Sequence, residues 1–328
     1  MPQFCRHNRL VQNCPICSRE QSVELRPLVS SSTPRVAEPR ERAPRAPSRR
    51  EPRRASAAAG VTVRRLRNTV DDGYRSPLLP GVKSSEEAAR LGSELAFSAT
   101  RLGILSEDPP GLYAEVAEGS GDIEERTWLA FLIAYLALLE TEAPFSAISA
   151  VRTSWHSGEL PDLDGVATGP RSAHDPDRGT RTIDAYRAWA ARAGSQAAAF
   201  AGEGAWSPER RFARVFERLA LPGLHRDARF ELLVSLGTLG VYELRPDSLQ
   251  LGGSDQVTVA AKRALGIGDP LLLGRRANEL VAACGIPLAA LDLAFYNWES
   301  AERATGGLGA AVEADPALID AIESALGI

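Results

Sequence analysis

The chain has 328 residues and a mass of 35.1 kDa, with 44% hydrophobic and 24% charged residues. This is enough material for one well-filled core or two smaller ones, which excludes a disulfide-stapled miniprotein and a wholly disordered chain. No apolar run approaches the roughly 20 residues of a membrane-spanning helix, and the first residues lack the apolar stretch of a signal peptide. We therefore expect a soluble, cytoplasmic protein that does not bind membranes.

The net charge of −4 is unevenly distributed. Residues 1–70 contain 15 arginines, no lysine and 5 glutamates, a net charge of +10, which leaves −14 for residues 71–328. A basic segment and an acidic body are thus joined in one chain.

Residues 1–22 carry a compact set of cysteines with one histidine. The Cys14-x-x-Cys17 spacing lets two thiolates reach one tetrahedral ion from a single turn, and Cys5 and His7 supply two further ligands. So short a segment buries too little apolar surface to fold alone, so metal binding would have to supply its folding free energy. The pattern predicts a zinc knuckle. A disordered thiol-bearing tail and a redox pair at Cys14 and Cys17 are the alternatives.

Residues 23–62 have the composition of a disordered linker, with six prolines, many arginines and no aromatic residue. Such a segment cannot offset the entropy cost of ordering. Arginine-rich arms give sequence-independent, salt-dependent affinity for nucleic acid, so DNA is the expected partner and association with the nucleoid is consistent with it. A solvated linker without a partner is the alternative.

Residues 63–328 predict a mostly α-helical domain. Ser84 and the residues after it have the pattern of a helix cap, and the apolar segment around Trp128 predicts a helix central to the core. Further helices are predicted through residues 183–200, 207–221 and 226–239 and toward the C-terminus. The sparse strand signal is confined to residues 241–251, where we expect a small hairpin.

Residues 155–182 form an irregular stretch that is too long for an ordinary connector. Its acidic and histidine side chains are candidates for a metal site or a pocket wall, although such clusters also build turns. They are His156, Asp162, Asp164, His174, Asp175 and Asp177.

Two motifs carry the functional argument. Leu221-Pro222-Gly223-Leu224 predicts a tight turn between two helices, with the backbone N–H groups of the second helix free to hold a phosphate. Farther along, Asp255 lies near the start of a helix that continues through Lys262 and Arg263. An aspartate at that position is either a helix cap or a catalytic group.

The segments RLALPGLHRDAR and SDQVTVAAKRALGI resemble the helix-hairpin-helix DNA glycosylase superfamily, whose hairpin reads LPGVGR and whose catalytic aspartate opens the pattern VDxHVxRVxxRLGL. This resemblance spans roughly residues 120–300. More closely, the segments FCRHNRLVQNCPIC, GVYELRPDSLQLGG and LAFYNW resemble the family named α-glutamyl/putrescinyl thymine pyrophosphorylase, clade 3.

The resemblance implies a two-lobed helix-hairpin-helix fold, with the hairpin near residues 221–226, that flips a modified thymine-type base out of DNA. The enzyme would then either replace a pyrophosphoryl group on the base with an amine, as a transferase, or cleave the N-glycosidic bond as a monofunctional glycosylase. Asp255 would activate water or stabilise an oxocarbenium-like sugar. The residues that the resemblance places on DNA are Gly223, His225, Arg226, Lys262 and Arg263.

Several positions depart from the superfamily pattern. His225 replaces the second hairpin glycine, and Asp227 occupies the position of the Schiff-base lysine, which disfavours base-lyase chemistry. The interval from Gly223 to Asp255 is about ten residues longer than usual, and no C-terminal cysteine cluster is present to hold iron and sulfur. The acidic body supports an alternative function, a catalytically inactive DNA- or protein-binding module with a zinc knuckle.

Overall fold

The structure is a computed structural model, and it describes residues 70–309 and 312–328. All of these residues belong to the compact unit that begins at Arg65. The predicted zinc ligands Cys5, His7, Cys14 and Cys17 and the predicted linker at 23–62 lie outside the described residues.

The described part of the chain is mostly α-helical, as predicted, and contains no β-strand. Its α-helices are α1 (Ser85–Glu107), α2 (Leu112–Ala117), α3 (Ile123–Leu136), α4 (Ser146–Val151), α5 (Arg181–Arg192), α6 (Gln196–Ala201), α7 (Pro208–Arg218), α8 (Arg226–Thr238), α9 (Gln256–Leu265), α10 (Pro270–Cys284), α11 (Ala290–Glu299) and α12 (Pro316–Leu326). A short 3-10 turn, Pro176–Arg178, precedes α5.

The helix starts follow from short polar residues that cap backbone N–H groups. Ser84 accepts from the Glu87 N–H at the start of α1, as its sequence pattern predicts. Asp269 accepts from two N–H groups of α10, whose first residue is Pro270. Each side chain satisfies donors that the first helical turn leaves without a partner, which fixes where the helix begins.

The helices pack in two groups that share one continuous cluster of buried apolar side chains. The first group surrounds α3 and contains α2, α4, α5, α6, α7 and α8, and the second surrounds α1 and contains α9, α10, α11 and α12. Helix α3 is buried on every side from Thr127 to Leu136, as expected of a central helix. The two groups meet where α1 packs against α8.

The prediction of a hairpin at residues 241–251 is wrong, because this segment is an irregular loop. Arginine side chains occupy its backbone acceptors: Arg211 donates to the Glu243 carbonyl at 2.9 Å, and Arg226 donates to the Leu249 carbonyl. Pro246, within the same segment, lacks the N–H that a strand ladder needs. The loop is therefore held by side chains from the helices beneath it.

Among the described residues, no helix is both long enough and apolar enough to cross a lipid bilayer.

Candidate functional site

A cavity lies at the junction of the two helical groups. Its empty volume is about 430 Å³, part of it open to solvent. The walls come from α1, α2, α3, α8 and α11, from the loop that precedes α5 and from the loop that follows α11. Apolar walls with a few convergent polar groups are typical of ligand sites. The polar residues on its wall are Arg101, Tyr113, Glu140, Arg171, Asp227 and Glu231.

A chain of alternating charges runs along and beneath this wall. Arg101 pairs with Glu231, whose second oxygen lies 3.6 Å from the Arg171 Nη1 atom. Arg171 also pairs with Asp292. Asp292 then pairs with Arg226, and the Arg226 Nη1 atom lies 3.0 Å from the Asp227 Oδ1 atom.

The side chains of this charge chain are more than 90% buried, except those of Glu231 and Asp227, which are 19% and 18% exposed. Three guanidinium groups and three carboxylates from four segments of the chain are thereby brought into one site. A buried ion-pair chain of this kind costs desolvation free energy, so its contribution to stability alone does not explain why it is there.

The three carboxyl groups of the chain have different proton affinities. Burial tends to raise the pKa of Asp292 and of Glu231, but the adjacent arginines outweigh it and hold both values below the ordinary range. Burial raises the pKa of Asp227, and the negative charge of Asp292 raises it further. Burial also raises the pKa of Tyr113 to about 12, so this phenol stays protonated at neutral pH. Perturbed carboxyl groups in a cavity are characteristic of functional sites.

The rim of the cavity contains a strained backbone position. Ala137, which follows α3 and lines the cavity, has φ +54° and ψ 159°, a region that is normally restricted to glycine. Gly169 crosses this segment and donates its N–H to the Leu136 carbonyl at 3.1 Å. Strain of this kind costs on the order of 1–3 kcal/mol and persists where the surrounding structure imposes it.

A glycine-rich loop after α11 forms another part of the wall. A Cβ atom on Gly306 would lie 2.2 Å from the Arg101 Nε atom, so only glycine lets the loop approach this guanidinium. The neighbouring Thr305 N–H donates to Glu140 at 2.8 Å, which ties the loop to the segment after α3.

The predicted turn at 221–224 joins α7 to α8 beside the cavity. Gly223 has φ +84°, and a Cβ atom there would lie 2.2 Å from the Thr182 Oγ1 atom. Thr182 donates to the Pro222 carbonyl at 3.1 Å, so the turn is packed directly against α5. His225 is exposed at the start of α8.

Asp255 is the N-cap of α9 and does not line the cavity. Its carboxylate accepts from the Thr258 N–H at 2.9 Å and from the Thr258 hydroxyl at 2.7 Å. Both interactions are made with its own helix.

The other residues predicted to contact DNA differ in their surroundings. Lys262 is exposed on α9. Arg263 stacks on the Trp298 ring with its guanidinium carbon 3.7 Å from the ring centroid, and it pairs with Glu87 at 2.9 Å. Arg226 is buried in the charge chain.

The histidine and acidic residues predicted in the stretch at 155–182 do not form a common cluster. His156 pairs with Asp122 at 2.6 Å, and His174 lies 3.2 Å from the Tyr135 hydroxyl. Within the described residues, no group of three or more histidine, cysteine or acidic side chains is placed to hold a metal ion. Arg171, from the same stretch, is the residue that joins the charge chain.

Sequence reasoning missed most of this site, because Arg101, Arg171, Glu231 and Asp292 lie in separate segments of the chain. A signal was present in three of them. Arg101, Glu231 and Asp292 each interrupt the apolar pattern of a helix, and a charged residue on a buried face requires a buried partner.

Comparison with protein-family models, with curated proteins and with solved structures finds no match for this chain.

Proposed function

We propose that the protein acts on a base extruded from DNA, with the cavity at the junction of the two helical groups as the base-binding pocket. One observation carries this proposal. On α8, the first residue that lines the cavity is Asp227, four residues after the turn glycine Gly223. A turn of this type can hold a DNA phosphate on the backbone N–H groups of the following helix. The proposed docking element and one part of the pocket wall therefore belong to the same helix, α8.

The lining of the cavity suits an extruded base. Apolar side chains such as Ile133 and Leu138 provide walls, while Arg101, Glu231 and Asp227 offer donors and acceptors. An extruded base needs both, because its ring leaves the duplex stack and its polar edge leaves its pairing partner.

The reaction class follows from the resemblance of the sequence to base-modifying helix-hairpin-helix enzymes. In a transferase, an amine replaces a pyrophosphoryl group on the thymine methyl carbon; in a glycosylase, water replaces the base at the sugar carbon. Asp255, to which the resemblance assigns catalysis, caps α9 and does not line the cavity. We place the chemistry at the cavity.

Docking on DNA would use the exposed side of the same region. His225 and Lys262 are exposed and available for phosphates, whereas Arg226 is buried and the partly exposed Arg263 is stacked on Trp298. The arginines that precede residue 70 would add salt-dependent affinity, and zinc held by Cys5, His7, Cys14 and Cys17 would order the N-terminal segment.

The decisive experiment uses two synthetic duplexes. One carries a thymine with pyrophosphate on its methyl carbon and is mixed with putrescine; the other carries uracil opposite guanine. Mass spectrometry of the DNA should detect the amine adduct in the first or the abasic site in the second. Binding of both duplexes without either product would instead favour a binding module.

A cavity-filling variant tests the assigned pocket. Ala304→Leu adds volume to the cavity wall, whereas Ala199→Leu adds it at an equally buried position in α6 that does not line the cavity. We expect the first variant to lose turnover while it still binds duplex DNA, and the second to keep both at temperatures where it is folded. Equal turnover by the Ala304→Leu variant and the parent would contradict the assignment.

A further inference from the structure

We propose that Asp227 is the proton-transferring residue of this cavity and that Asp292, through Arg226 and Arg171, is its positioning residue. The inference rests on the proposed function, since it assigns a chemical role within the pocket. The geometry that carries it is the distribution of hydrogen-bond partners among the carboxylates of the charge chain.

Two of these carboxylates have a guanidinium group within ion-pair distance of each of their oxygen atoms. Asp292 gives one oxygen to Arg226 and the other to Arg171. Glu231 gives one to Arg101 and to the Ser235 hydroxyl, and the other faces Arg171 at 3.6 Å. In neither carboxylate is an oxygen atom without a guanidinium partner.

Asp227 differs from both. Its Oδ1 atom accepts from Arg226 at 3.0 Å, whereas its Oδ2 atom has no hydrogen-bond donor among the residues that the structure describes. Asp227 also lines the cavity, and Asp292 does not. A carboxyl group that lines a cavity, with one oxygen anchored and the other without a protein donor, is arranged to exchange a proton with a bound ligand.

The charged surroundings of Asp227 favour such an exchange. On its own helix it faces Arg226, from the loop before α5 it faces Arg171, and from α11 it faces Asp292. Burial and the Asp292 charge favour the protonated form, while the two arginines favour the ionised form. Opposing influences of this kind keep a carboxyl group able both to give and to take a proton. The remaining titratable groups on the cavity wall are Arg101, Tyr113, Glu140 and Glu231.

The proton balance is the same for either reaction of the proposed function. Protonated Asp227 gives its proton to the leaving heteroatom as the carbon–heteroatom bond breaks and the bonding pair departs with the leaving group. The resulting carboxylate takes the proton of the incoming nucleophile, an amine or a water molecule, as its lone pair forms the new bond to carbon. The carboxyl group ends in its initial state.

The test compares four variants with the parent: Asp227→Asn, Asp292→Asn, the rival Asp255→Asn, and Asp269→Asn, a matched control that caps α10. Turnover and binding are measured on the two duplexes described above. We expect Asp227→Asn to bind DNA but to lose about 10²- to 10⁴-fold in turnover. Asp269→Asn should stay close to the parent, whereas a loss of turnover confined to Asp255→Asn would overturn the inference. Asp292→Asn removes a charge that favours protonated Asp227, so it should shift the alkaline limb of the pH–rate profile to lower pH.

A second measurement needs no substrate. In protein labelled with ¹³C at the aspartate carboxyl carbons, the resonance that disappears in Asp227→Asn should titrate above the range of exposed aspartates. A resonance that titrates in or below that range overturns the inference, as does full turnover by Asp227→Asn. If the parent itself turns over neither duplex, the proposed function fails, and an elevated titration still supports Asp227 as a proton carrier.

Discussion

The starts of α8 and α9 contain two aspartates that look alike in the sequence and differ in the structure. Asp255 uses both oxygens on Thr258 of its own helix. Asp227, in the first turn of α8, has one oxygen on Arg226 and the other without a donor among the described residues, beside a cavity. A carboxylate at a helix start becomes a site only where tertiary packing supplies a cavity and leaves part of the carboxylate unused.

Helix caps and buried charge chains also contribute differently to stability. A cap satisfies one or two N–H groups at the surface, and its loss is local. A carboxylate within a buried charge chain neutralises the arginines on both sides of it. Its removal therefore leaves guanidinium charge in the interior without a partner.

The largest effect should follow from neutralising Asp292. The substitution Asp292→Asn leaves Arg226 and Arg171 with uncompensated buried charge, and we expect it to lower the free energy of unfolding by about 3–5 kcal/mol. Urea denaturation monitored by circular dichroism measures this. Glu115→Gln, which breaks the half-exposed pair with Arg152, is the control and should cost less than about 1 kcal/mol. Equal costs for the two substitutions would show that the buried chain contributes no more than a surface pair.

The turn before α8 should come next. Gly223 and Gly240 both have positive φ, but an added Cβ meets Thr182 only at Gly223, while nothing lies within 4 Å of it at Gly240. Gly223→Ala should therefore cost at least about 1 kcal/mol more than Gly240→Ala, because it adds steric overlap to the same backbone penalty. Thermal unfolding of both variants checks this, and matching costs would indicate a turn that is loosely packed against α5.

Loss of the α9 cap should have a smaller effect. Asp255→Ala removes the acceptor for the Thr258 N–H and should cost about 1 kcal/mol. The Asp255→Asn variant keeps a capping oxygen, so it should be closer to the parent in chemical denaturation. A loss of several kcal/mol in Asp255→Ala would assign this residue a role beyond the end of its own helix.

The smallest change in stability is expected for Asp227→Asn, and this change is a gain rather than a loss. Because folding raises its pKa from 3.8, its contribution to stability falls as the pH rises through the interval between the unfolded and folded values. Asp227→Asn should thus be as stable as the parent at neutral pH, or more stable. For Asp292, whose pKa folding lowers, the parent loses stability as the pH falls below 3.8.

Urea denaturation of both variants and the parent across pH 3–7 distinguishes these signs. An Asp227→Asn variant that is clearly less stable than the parent at neutral pH would mean that this carboxylate is mainly structural.

The helices were predictable because their determinants are local. Ser84 and Asp269 cap the helices that follow them, and the apolar density around Trp128 predicted the central position of α3. The loop at 241–251 was mispredicted, since alternating apolar residues gave a strand signal while distant arginines occupy its backbone acceptors.

The candidate site was less predictable for the same reason. The turn at Gly223 and the residue Asp227 were visible in one segment, but the partners that define the cavity come from α1, α11 and the loop before α5. Partners that lie about 60 to 130 residues apart in the sequence leave no spacing pattern. The only sequence signal for them is a charged residue that interrupts an apolar helix face.

The central claim, that the cavity beside Asp227 receives the extruded base, is tested most directly by a crystal structure of Asp227→Asn with a duplex carrying the pyrophosphorylated thymine. The account predicts that the base leaves the duplex and lies in the cavity, within hydrogen-bonding distance of Arg101 or Arg171 and of residue 227. A base that stays stacked in the duplex, or one that is held outside this cavity, would contradict it.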